Sequence, residues 1–172
     1  LLIKETRFTL TSSIETTLKG PEERNAGTLK ISDGAGTLTL SGNNTFHGTL
    51  NLNEGTVIPS GGKGIGDFSL VAIKSNASSV LDLNNGSETI GALSSTTVFS
   101  STGFEDGTVA IGSGTLTINS TVVTRTYQGA ISGSGTIIKN GASSQQFFGT
   151  NTGGFNGSLV INQGLVDLSE GG

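Results

Sequence analysis

Phe46-His47-Gly48-Thr49-Leu50-Asn51-Leu52-Asn53-Glu54-Gly55-Thr56-Val57 returns as Phe155-Asn156-Gly157-Ser158-Leu159-Val160-Ile161-Asn162-Gln163-Gly164-Leu165-Val166, an offset of 109 residues. In both copies the Leu, Ile and Val residues stand two apart, which places them on one face of a strand. A glycine follows where the chain must turn. A long unit that recurs in this way signals a stacked architecture rather than a round enzyme core.

The match extends on both sides. Asp33-Gly34-Ala35 corresponds to Asn140-Gly141-Ala142, Gly42 to Gly149, and Asn44-Thr45 to Asn151-Thr152, all at an offset of 107. Arg7-Phe8-Thr9-Leu10 falls on Thr115-Leu116-Thr117-Ile118, and Gly27-Thr28-Leu29 on Gly135-Thr136-Ile137, at 108. The 172 residues therefore hold about one and a half units, and both termini read as cuts through a longer array. The expected organisation is one β-solenoid segment over residues 1–172. Its first long unit is 27–141, a second begins at 142–172, and residues 1–26 form divergent rungs or a cap.

Composition supports a narrow coil. Only 33% of the chain is hydrophobic, and Gly, Ser, Thr and Asn make up about half of it. Disorder goes with high net charge and few β-branched residues, whereas here the net charge is −4 and Val, Ile and Thr recur on alternate positions. With Lys and Arg scattered singly, that charge argues against nucleic acid or an anionic membrane as partner. No apolar run approaches the roughly 18 residues of a membrane-spanning helix. The absence of cysteine excludes disulfide staples and thiolate metal sites.

Short alternating segments ended by Gly or Asn predict strands at Thr28–Ile31, Thr37–Leu40, Thr49–Leu52, Val80–Leu83, Thr115–Ile118 and Leu159–Ile161. Glycine comes too often for helices of ordinary length, so almost no helix is expected. Onsets at Thr28, Thr49, Ser69 and Ser87 are spaced by 21, 20 and 18 residues, which suits one rung per step. That spacing favours a solenoid over a sandwich or closed barrel, with about eight rungs forming a rod on the order of 40 Å long. Asn and Ser at the corners can hydrogen-bond to their counterparts in adjacent rungs. Each open end exposes unpaired backbone and apolar core, so flanking rungs of the same chain or stacked copies are expected as partners there.

Gly36-Thr37-Leu38-Thr39-Leu40-Ser41-Gly42-Asn43-Asn44-Thr45-Phe46-His47-Gly48, continuing to Asn53-Glu54-Gly55-Thr56-Val57, closely resembles the autotransporter-associated β-strand repeat of bacterial passenger domains. Val80–Gly86 and Gly129–Gly141 are similar to the same pattern, and the resemblance covers most of residues 27–172. It implies an all-β, right-handed parallel β-helix exported by the type V route, through a carboxy-terminal barrel in the outer membrane, to the surface of a Gram-negative bacterium. Lack of cysteine fits this family, since a chain threaded unfolded through a pore should not be locked by disulfides. Ser143-Ser144-Gln145-Gln146-Phe147-Phe148 departs from the pattern and reads as an altered rung; residues 1–26 match only faintly.

Candidate site residues each meet a simpler explanation. His47 is the single histidine, with no cysteine to complete a zinc site, and reads as a surface or corner residue. Gly61–Phe68 looks like the calcium nonapeptide of β-rolls, but that site needs Asp where Gly66 stands and several tandem copies. Glu22-Glu23, Glu105-Asp106 and Glu54 could supply carboxylates, yet the two pairs sit beside Pro21 and Gly107 as turn tips. The Thr-x-Thr pairs Thr9/Thr11, Thr37/Thr39, Thr115/Thr117 and Thr124/Thr126 are not spaced at one rung, which speaks against an ice-binding face. Sequons at Asn43, Asn76 and Asn119 are what chance yields in an Asn- and Ser-rich chain.

The expected protein is a non-catalytic stem and adhesive segment, secreted or displayed at the cell surface, with no cofactor, no metal and no catalytic residue. A host or surface receptor or a glycan is the implied ligand. Rivals are a polysaccharide-degrading β-helix enzyme, which would carry a line of carboxylates along one groove, and a toxin passenger acting on host membranes.

Overall fold

A computed structural model describes residues 2–3, 7–10, 28–74, 78–96, 107–121, 123–148 and 154–168. Among them are sixteen strands and no helix, and every strand pairing is parallel. Parallel neighbours must be reached by a crossover, and here the crossover is the rest of a coil. The chain winds as a β-solenoid with three faces.

On the first face lie β1 (Leu2–Ile3), the opening halves of β3 (Thr28–Leu40) and β4 (Thr49–Pro59), then β5 (Leu70–Ile73) and β8 (Ala92–Ser95). Their register, Thr28 to Thr49 to Leu70 to Ala92, advances by 21, 21 and 22 residues. β11 (Arg125–Tyr127) packs on β8 and is followed by β14 (Ser144–Phe147) and β16 (Leu165–Asp167). The second face holds β2 (Arg7–Leu10), the closing halves of β3 and β4, β6 (Ser79–Asp82), β9 (Thr108–Gly112) and β12 (Ala130–Gly133). Phe155 extends this face by a bridge to Gly133. The third face is an uninterrupted ladder of β7 (Ser87–Ile90), β10 (Thr115–Ile118), β13 (Thr136–Lys139) and β15 (Ser158–Ile161).

Alternation carries the core. Leu50 and Leu52, Val71 and Ile73, Val109 and Ile111, and Leu116 and Ile118 point inward in successive strands and are buried. In β4 the alternation slips at Asn53-Glu54, where the chain rounds a corner, and Gly55 takes the turn at φ +88°. Only glycine adopts that backbone without cost.

Two expectations change in detail. The segments Thr28–Ile31 and Thr37–Leu40 form one continuous strand, because the corner between them is absorbed by register shifts around Ser32 instead of a break. Ser87 opens a strand on the third face, so the first-face successor of Leu70 is Ala92. The altered rung at Ser144–Phe147 keeps its place, paired to β11 on one side and β16 on the other.

The long repeat also acquires a different meaning. Thr49–Leu52 lies on the first face, whereas its counterpart Ser158–Ile161 lies on the third. From one to the other the chain makes four turns and two further faces. What recurs is a module of strand, glycine corner and strand, with Gly55 at φ +88° and Gly164 at φ +83°. Either of two corners of the coil accepts it.

Among the described residues the first-face ladder is interrupted between β8 and β11. Side chains span the gap: Gln145 Nε2 donates to Leu93 O at 3.2 Å, and Gln128 N donates to Ser95 Oγ at 2.9 Å. An inward Gln where other rungs carry Leu or Val therefore supplies hydrogen bonds that the backbone does not.

Candidate functional site

Side chains at the corners stack as ladders. Asn140 Nδ2 donates to Asn119 Oδ1 at 3.2 Å and Asn162 Nδ2 to Asn140 Oδ1 at 2.9 Å, joining three rungs between the third and first faces. Ser143 Oγ donates to Ser120 Oγ at 2.6 Å in the same corner. Thr126, Gln146 and Asp167 form a further column at 2.8 and 3.3 Å. These amide and hydroxyl chains follow the stacking that the composition predicts, and each link adds on the order of 1 kcal/mol.

Below the Asn ladder, the same corner carries a different surface. Asn119 N bonds to Ile90 O, which seats Asn119 over Gly91, and Gly91 lies directly over the Phe68 backbone. Phe68 is 64% exposed, and His47 meets it edge-on with ring centroids 5.2 Å apart. The single histidine is thus a corner residue in contact with an aromatic ring.

The Gly61–Phe68 stretch is a turn, with Gly61 and Gly62 at positive φ and Lys63 paired to Asp67 at 3.2 Å. Its Gly64 and Ile65 amides both donate, at 3.1 Å, to the carboxylate of Glu88. The loop therefore turns N–H groups toward the Glu88 carboxyl group, the reverse of the oxygen-lined cradle that calcium requires.

Glu88 itself is only 2% exposed. Burial pushes its pKa up to about 7, against the two amide bonds that favour the charged form, and Asp67 adds a smaller upward push. Lys139, also buried, donates to Asn140 O at 2.5 Å, Gly141 O at 2.7 Å and Ser120 O at 3.3 Å, and burial lowers its pKa. Both were missed from sequence, although a signal existed. Glu88 alternates with Ile90, and Lys139 takes the place that Ile118 and Ile161 hold in neighbouring rungs, so both positions face inward.

Of the acidic candidates, Glu54 sits at the β4 corner, while Glu22, Glu23, Glu105 and Asp106 lie outside the described residues. Among the described residues no three His, Asp or Glu side chains gather as a metal site would need. Nor is any helix there long and apolar enough to cross a membrane. Thr115 and Thr117 do stack in register, over Ser87 and Thr89 and under Thr136 and Ile138, a relation hidden by the 28-residue step between β7 and β10.

Residues 33–58 match the Passenger-associated-transport-repeat family model. These residues are the closing part of β3, the Phe46 corner and most of β4. Across 143 residues, 81% of this chain, the sequence is 34% identical to the Adhesin BmaC autotransporter of Brucella suis biovar 1 (strain 1330). The chain is a repeat segment of an autotransporter passenger. It spans 4% of the length of that relative, and no solved structure matches it. In this passenger segment, family membership and stacked parallel rungs agree: the matched repeat coincides with the strand, glycine corner and strand module.

Proposed function

We propose that this passenger segment acts as a non-catalytic stem, a rigid spacer and adhesive surface displayed outside a Gram-negative cell. The observation that carries the reading is the similarity to an adhesin autotransporter over most of the chain, joined to a solenoid whose third face carries an outward column of Ser87, Thr115, Thr136 and Ser158. Hydrogen-bonded rungs resist bending, and corner side chains project sideways to meet a surface. Adhesion is tested by coating beads with the chain and counting attachment to host cells. Attachment no better than that of uncoated beads would refute the adhesive part.

Stacking partners at the ends belong to the same reading. At the carboxy-terminal end Val160, Ile161, Leu165 and Leu168 are 41, 49, 58 and 63% exposed, beside the outermost described strands β15 and β16. A further rung of the same kind fits this end: it would cover Ile161, which is in register with the inward Lys139, and pair the open backbone of β15 and β16. Ile161→Lys combined with Leu165→Lys should abolish concentration-dependent association of the chain in light scattering. Association that survives both charges would locate the contact elsewhere.

Rung addition outside the cell also offers a pull on the chain during export. Deleting residues 129–168 from the complete protein should reduce the passenger reaching the cell surface, scored by surface immunolabelling. Normal surface levels would count against that role.

A further inference from the structure

The corner between the second and third faces sets an Asn or a Ser before each glycine of one column: Asn85-Gly86, Ser113-Gly114, Ser134-Gly135 and Asn156-Gly157. Gly114 lies on Gly86, Gly135 on Gly114 and Gly157 on Gly135. An Asn-Gly pair is chemically labile, because a residue without a side chain lets its amide nitrogen approach the carbonyl carbon of the preceding Asn side chain. The sequence holds three such pairs, the third being Asn140-Gly141, and the coil guards them unequally.

Asn85-Gly86 is covered by the next rung. Gly86 N donates to Leu83 O at 2.7 Å, so the nitrogen that would attack is engaged. Asn85 Oδ1 accepts from Ser113 N at 3.0 Å and from Ser113 Oγ at 3.3 Å, which ties the side chain to the rung above. Asn140 is held on both sides: its Nδ2 donates to Asn119 and its Oδ1 accepts from Asn162. Asn156-Gly157 has neither protection. Asn156 is exposed, and its Nδ2 reaches Gly154 O at 3.5 Å. The Gly157 N–H donates to no group among the described residues. Since β15 is the outermost described strand of the third face, no described rung lies on the pair. An exposed side chain of this kind samples its rotamers within nanoseconds.

We propose that Asn156-Gly157 is a site of spontaneous deamidation, with water as the co-reactant. Gly157 N attacks Asn156 Cγ; the N–Cγ bond forms, the Cγ–Nδ2 bond breaks, and ammonia leaves with the proton that Gly157 N gives up. Water then opens the cyclic imide. Addition at Cγ returns the normal backbone with Asp at 156, whereas addition at the Asn156 backbone carbonyl gives isoaspartate, with the chain routed through the side chain. Both products add a negative charge, and isoaspartate also lengthens the backbone by one methylene just before Ser158. Ser158 N donates to Gly135 O at 2.9 Å, so this product loosens the entry to the outermost described strand.

The test is to age the 172-residue chain at neutral pH in water enriched in heavy oxygen and to follow label by peptide mass spectrometry, with electron-transfer fragmentation to tell isoaspartate from Asp. Label should enter at position 156 at least about tenfold faster than at 85 or 140, because the guarded pairs must first break their hydrogen bonds. In urea the three rates should converge, which assigns the difference to the fold and not to neighbouring residues. Asn156→Ser should remove the fast site without moving the melting temperature. Label at 85 or 140 as fast as at 156 in the folded chain overturns the proposal. So does a folded chain that takes up none at 156, or an order of rates that persists in urea.

Discussion

Gly135→Ala should lower the melting temperature by about 10 °C, the outcome expected when a methyl group is forced between two stacked backbones. Gly86, Gly114, Gly135 and Gly157 form a column at the corner that leads into the third face. A Cβ on Gly135 would overlap the carbonyl oxygen of Gly114, and one on Gly157 would overlap that of Gly135. Those carbonyls are in use: Thr136 N donates to Gly114 O and Ser158 N to Gly135 O, both at 2.9 Å. The clash is with rigid backbone, so the rungs must separate and neighbouring ladder bonds stretch together. Overpacking and lost hydrogen bonds sum to about 3–5 kcal/mol, a large fraction of the stability of an ordinary domain. Gly61→Ala is the control. Gly61 turns the chain at positive φ, which Gly135 does not, but an added Cβ there meets nothing within 4 Å, so the cost should be only about 1–2 kcal/mol of backbone strain. Melting curves followed by circular dichroism decide between the two. If Gly135→Ala melts with Gly61→Ala, the column does not carry the packing.

The second large effect is in pH. Glu88 has a folded pKa of about 7 against an ordinary value of 4.5, so between these limits the folded chain holds a proton that the unfolded chain has released. Its contribution to stability is therefore complete below about pH 4.5, declines as pH rises, and is gone above about pH 7. The difference corresponds to about 3 kcal/mol across that window. Other carboxylates tilt stability the opposite way, so the informative quantity is wild type minus Glu88→Gln in urea titrations at several pH values. That difference should fall from pH 5 to pH 7.5, because Gln cannot titrate. Parallel curves would mean that Glu88 ionises in the fold as freely as in the unfolded chain.

Much of the fold is legible residue by residue. Thr115-Leu116-Thr117-Ile118 alternates, ends at an Asn, and is the strand β10. Asn140-Gly141 marks a corner, with Gly141 at φ +79°. Asn119, Asn140 and Asn162 pair through their amides, as stacked corners require. Face assignment is not legible in the same way. Local spacing cannot tell whether Ser87 continues the ladder of Leu70 or starts another, since strands on all three faces share one alternating pattern. Nor does it separate a repeat of whole turns from a repeat of corners, because Gly55 and Gly164 bend the chain alike at different corners.

The sequence by itself determined the strands, the corners, the solenoid class and the passenger family, since each depends on side-chain period, glycine placement or a motif contained in consecutive residues. Only the tertiary structure decided which residues meet across rungs. Glu88 reaching the Gly64 and Ile65 amides, the glycine column, and the Gln145 bridge over the interrupted ladder all join residues about 20 to 50 apart. Such contacts depend on the residue count of every intervening coil. One coil of unequal length moves a side chain to a different neighbour without altering its local pattern.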